Sequence, residues 1–92
     1  MNEKLQIQIH STEAEKAVLG AILINNDIFG EVCNIVKNED FYHEKHKLLF
    51  NTMAEMLNGG TPVDNVLVVQ QLIESGDLDK VGGAYEITSL SD

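Results

Sequence analysis

The chain has no arginine and no tryptophan, and only one cysteine and one proline among 92 residues. Each scarcity excludes something. Six lysines against 15 acidic residues give a net charge of −9. A nucleic-acid surface needs clustered Lys and Arg to displace counterions from phosphates, and arginine is the usual reader of base edges. Direct nucleic-acid binding is therefore not expected, and a basic protein partner suits the charge better. Solubility alone also accounts for an acidic surface in many domains. A single cysteine, Cys33, rules out an internal disulfide and fits a reducing cytosol. One proline beside 43% hydrophobic residues argues against disorder. No apolar run approaches the roughly 20 residues of a membrane span, and Met1 to Gln6 lacks the basic flank and apolar stretch of a signal peptide.

What remains is one domain's worth of globular chain. It buries about two-thirds of its unfolded surface. Its stability should be ~5–9 kcal/mol, at roughly 0.05–0.1 kcal/mol per residue. That leaves little room for a deep enzyme cleft.

Residues 1–10 are polar, with Leu5, Ile7 and Ile9 alternating, and read as an extended arm. Thr12 and Glu15 have capping-box spacing, and Ala14, Ala17, Val18, Ala21 and Ile22 then fall on one helical face, with Leu19 and Leu23 widening it. Gly20 costs such a helix ~1 kcal/mol. Among small neighbours it predicts another helix crossing close by. Asn25-Asn26 ends this helix, and Asp27 is placed to cap the next, with Ile28, Val32, Ile35 and Val36 as its apolar stripe. Phe41-Tyr42 sits in a connector, read as a plug between helices. A longer helix over 43–58 carries Leu49, Phe50, Met53, Met56 and Leu57 on one side, and Gly59-Gly60 stops it. Asp64 and Gly76 bracket a fourth helix, for which the spacing of Val66, Val69, Leu72 and Ile73 outweighs a β-branched composition. Gly82-Gly83 leads into a short last helix with Ile87 and Leu90. The fold class is all-α: a compact orthogonal bundle of five to six short helices. Its core should hold Leu19, Ile22, Phe41, Phe50, Leu57 and Leu72.

Little in this sequence carries chemistry. His43-Glu44-Lys45-His46 is the one metal-like pattern. Zinc hydrolases place two histidines at i and i+4 on a helix with the glutamate between them, and that spacing is absent. A hydrolase built on His43 and Glu44 is thus far weaker than an ordinary helix start. Cys33 reads as a half-buried thiol and not a nucleophile. The glycine pairs lack the lysine and hydroxyl of a phosphate-cradling loop. The sequence predicts no catalytic, cofactor or metal site.

The order of specific residues goes further. Ala14-Glu15-x-Ala17-Val18-Leu19-Gly20-Ala21-Ile22-Leu23, then Asp40-Phe41-Tyr42 with His46 and Phe50, then Pro62-Val63-Asp64, then Val81-Gly82-Gly83, resembles the N-terminal domain of bacterial replicative DNA helicases of the DnaB type. The resemblance covers about residues 11–90. It implies a non-catalytic globular head at 11–92. In that family such heads form a collar, assemble with other protomers of the hexamer, and receive the helicase-binding domain of primase. It also implies that the head's helical hairpin and the ATPase domain, with its ATP and Mg, lie outside residues 1–92. The isolated head is then expected to be a monomer or weak dimer, since one small face rarely reaches the ~1,000 Å² of a stable interface. One position departs from the pattern. Where the family commonly has tyrosine, three residues past the second glycine, this chain has Glu86, with Tyr85 before it. Tyr85 and Glu86 are the candidate partner-binding residues, offering an aromatic body and a charge. The alternative is an unrelated helical adaptor or regulatory domain of similar fold.

Overall fold

The computed structural model describes residues 11–92, so the arm expected over 1–10 lies outside the described residues. Five α-helices run in the order α1 (Thr12–Ile24), α2 (Phe29–Ile35), α3 (Glu44–Asn58), α4 (Asn65–Ser75) and α5 (Gly83–Ser89). Short 3-10 turns occupy Asn26–Ile28, Asn38–Asp40 and Leu78–Val81. No strand occurs among the described residues.

The helix ends follow from local chemistry, with two revisions. Ser11, not Thr12, caps α1: its hydroxyl accepts the backbone N–H of Ala14 at 3.0 Å. That frees Glu15 from capping α1 itself. Asn25, not Asp27, caps the turn after α1, its side chain accepting the Asp27 N–H at 3.1 Å. Asp64 caps α4 as expected, accepting the Leu67 N–H at 2.8 Å. Gly76 closes that helix at φ 79°, in the left-handed region that glycine enters without strain.

Asn26 joins the first half of the chain to the second. Its amide donates to the carbonyls of Ile22 and Val63 at 2.8 Å each, and its oxygen accepts the Val63 N–H at 2.8 Å. Val63 is buried, so its backbone needs these partners. The bonds dock the extended segment before α4 onto the end of α1.

The core gathers Leu19, Ile22, Phe41, Leu49, Met53, Val68, Leu72, Val81 and Ile87. Phe50 lies among them, its ring centroid 5.1 Å from Phe41 and 5.8 Å from Phe29. Five of the six expected core residues are buried, while Leu57 is half-buried at the edge. Other faces are rotated from the expectation. On α1 the inward residues are Glu15, Leu19, Ile22 and Leu23, with Ala14 and Ala17 outside. The buried face is thus the Leu19–Leu23 side of the expected one. On α2, Ile35 points out while Phe29, Val32 and Cys33 pack inward. On α4, Val68 and Leu72 face the core, whereas Val66 and Ile73 are 73% and 58% exposed. In the connector Phe41 alone is the plug; Tyr42 is 70% exposed.

Candidate functional site

Helix α3 begins at Glu44 after His43, whose side chain provides no cap. The missing partner comes from another helix. The Glu15 carboxylate of α1 accepts the backbone N–H of Tyr42 at 2.5 Å and, at a longer 3.4 Å, that of His43. It also lies 2.6 Å from Nδ1 of His46, one turn into α3. Glu15 and His46 are both fully buried. A carboxylate at a helix N-terminus meets free N–H groups and the positive end of the helix dipole, so a buried charge is tolerated here. Thr12 adds a neighbouring tie, its hydroxyl sharing a 2.7 Å hydrogen bond with Nε2 of His43.

Burial alone would raise the Glu15 carboxyl. The hydrogen bonds from His46, Tyr42 and His43 more than offset that and hold it below its ordinary value. Burial pushes the His46 imidazole below its ordinary value, and the pull of Glu15 does not restore it. The ring is therefore neutral near pH 7. Its hydrogen-bond geometry assigns the proton to Nδ1, donated to Glu15. Nε2 is left buried with no hydrogen-bond partner among the described residues.

The sequence-nominated metal pattern is taken apart by this arrangement. His46 turns inward to Glu15, His43 turns to Thr12, and Glu44 lies outside at 3.4 Å from Lys47. Among the described residues no group of three His, Cys, Asp or Glu side chains converges as metal ligands do. The Cys33 thiol is raised by burial, with Lys37 opposing only in part, which is the reverse of nucleophile activation.

Tyr85 and Glu86 lie side by side in the first turn of α5, but their situations differ. Tyr85 is 83% exposed, the most open large hydrophobic side chain among the described residues. It does not close the end of the core. Glu86 is half-buried and already engaged, accepting a 3.0 Å hydrogen bond from Nζ of Lys45 on α3. That contact lowers the Glu86 carboxyl from its ordinary value. Its methylenes also lie where a side chain on Gly82 would be, 3.1 Å from the position of a Cβ there, and Gly82 has φ 97°. So Glu86 and Lys45 hold the start of α5 in place, and Tyr85 stands outward beside them.

Two surface features escaped the sequence. Lys45, Lys47 and Lys80 line an open cleft of about 580 Å³ with Asn38, Asn51 and Leu48, although each lysine is paired with a carboxylate. Val66, Val69 and Ile73 form, with Thr88, the apolar lining of a shallow groove of about 290 Å³ between α4 and α5. No single helix among the described residues is long and apolar enough to cross a membrane.

Against known proteins, the sequence model of the DnaB-like helicase N terminal domain matches residues 7–92. The chain is 34% identical over 88 residues to the replicative DNA helicase DnaB of Buchnera aphidicola subsp. Schizaphis graminum, covering 96% of this chain. Identity is 36% over 88 residues with the Haemophilus influenzae protein of that name, covering 96% of this chain. It is 36% over 87 residues with that of Geobacillus stearothermophilus, covering 95%. The chain spans 19% of the length of each of these relatives. The fold is similar to the crystal structure of the N-terminal domain of DnaB helicase from Mycobacterium tuberculosis. The TM-score is 0.86 at 29% identity, over 89% of this chain and 59% of that one.

Proposed function

The chain belongs to the DnaB-like helicase N-terminal domain family, and we propose that it serves a replicative helicase as a non-catalytic head for collar assembly and primase docking. Hydrolysis of ATP with Mg and the gripping of DNA fall to other parts of such a helicase. The head contributes shape and surface, in the bacterial cytoplasm. An unrelated helical adaptor is set aside, because family membership accounts for nearly the whole chain.

The observation that carries the docking proposal is Tyr85: a large aromatic side chain, 83% exposed, on a helix start pinned by the Lys45–Glu86 contact. A rigid exposed aromatic gives contact area at low entropic cost, and tyrosine is enriched among interface hot spots. Glu86 acts mainly by holding that platform, since its charge is shared with Lys45. The test uses the full-length helicase and the helicase-binding domain of its primase, with affinity measured by calorimetry. Tyr85→Ala should cost ~1–2 kcal/mol of binding, about five- to thirtyfold in affinity. Glu86→Gln, preferred because a lysine there would confront Lys45, should weaken binding less and with little salt dependence. Unchanged affinity in folded Tyr85→Ala would move the docking site away from α5.

A further inference from the structure

We propose that Glu15 and His46 form a proton-operated latch between α1 and the start of α3, closed when His46 is neutral and released when it is protonated. The geometry supports this in three ways. The pair is a buried polar contact between residues 31 apart in the chain on two helices, with 2.6 Å between Oε1 and Nδ1. The same carboxylate holds the Tyr42 and His43 backbone N–H groups, so whatever perturbs it perturbs the turn that seats Phe41 in the core. Lastly, Nε2 is buried and has no acceptor among the described residues. A second proton would place a charged N–H donor there with nothing to receive it.

The surrounding charges do not cancel that penalty. Glu15 on α1 favours the imidazolium, while Lys45 on α3 and His43 just before it oppose it. Glu86 on α5 also faces His46, but Lys45 and Lys16 are close to it and offset its charge. The core residues that α4 and the Leu78–Val81 turn bring to the interior, Val68, Leu72 and Val81, carry no charge.

The sign follows from the direction of the shifts. His46 binds its proton less readily folded than unfolded, so the latch's stabilisation is fully present above the ordinary histidine value of 6.5. It is lost as pH falls from there through the lower, folded value. Glu15, also lowered, adds a second loss of the same sign as pH falls below 4.5. Acid therefore opens the α1–α3 junction in two stages, His46 first.

The experiment compares the chain with His46→Asn, whose amide places a donor near the Nδ1 position and cannot titrate. Melting temperature and amide NMR spectra are recorded at pH 7.5 and 5.5. The unaltered chain should melt on the order of 5 °C lower at pH 5.5. The Tyr42 and His43 amide signals should shift together as their acceptor is disturbed. In His46→Asn both changes should be absent, since the two proteins differ at this one side chain. Equal pH dependence in the two proteins would overturn the proposal. Should the variant not fold, the His46 ring signals of the unaltered chain decide directly. A titration midpoint below 6.5 that coincides with the Tyr42 shift supports the latch, and one at or above 6.5 refutes it.

Discussion

Replacing Gly20 by alanine should destabilise the domain, although alanine is the better helix former by ~1 kcal/mol. A Cβ at this position would lie 2.0 Å from the backbone oxygen of Leu90 and 3.0 Å from its carbonyl carbon. Those are backbone atoms at the end of α5, and they cannot swing aside as a side-chain tip would. Helix α1 must move outward and take Leu19 and Ile22 with it, or α5 must shift with Ile87 and Leu90, all of them core residues. Overpacking of this kind costs ~1–3 kcal/mol, occasionally more. Gly20→Ala should lose ~2–3 kcal/mol in urea denaturation. Gly20→Leu should lose more and leave little folded protein. A Gly20→Ala variant more stable than the parent would show that the two elements separate freely.

Phe50→Ala should be comparably damaging for the opposite reason, a void. Phe50 is nearly buried between Phe29 and Phe41, in ring contacts that include the residue plugging the α2–α3 connection. Loss of its transfer energy plus a residual cavity should cost ~3–5 kcal/mol. Set against a total of ~5–9 kcal/mol, that consumes most of the stability. The melting temperature should fall by roughly 15–30 °C, at about 4–8 °C per kcal/mol for a domain of this size. A variant melting within a degree or two of the parent would contradict the packing described.

Much of this fold is legible from residues with one dominant local preference. Asp64 and Gly76 bracket α4 as caps do, Gly20 marks a close crossing, and the long helix over 43–58 appears one residue shorter. Helix faces are harder. In α1 and α4 apolar residues run almost all the way round, so periodicity cannot choose between registers one residue apart. Burial chose Leu19 and Leu23 over Ala14 and Ala17, because the larger side chains remove more apolar surface from water. Val66 and Ile73 were left outside by the same competition. Glu15 was the least readable. A glutamate in a first helical turn looks like a cap or a dipole partner, and nothing local reveals a histidine 31 positions away. It does serve a helix N-terminus, but that of α3. Of the candidate site, the sequence supplied Tyr85 and Glu86. It could not show that Lys45 engages one of them and leaves the other open.

The proposal that this head is a docking and assembly module is tested most directly by removing it. Full-length helicase would be compared with a version lacking residues 11–92. Primase-domain binding would be measured by calorimetry, and ATP hydrolysis and sedimentation followed in parallel. Primase binding should be lost or weakened more than tenfold, while the residual assembly still hydrolyses ATP. Undiminished primase affinity without the head would contradict the proposal.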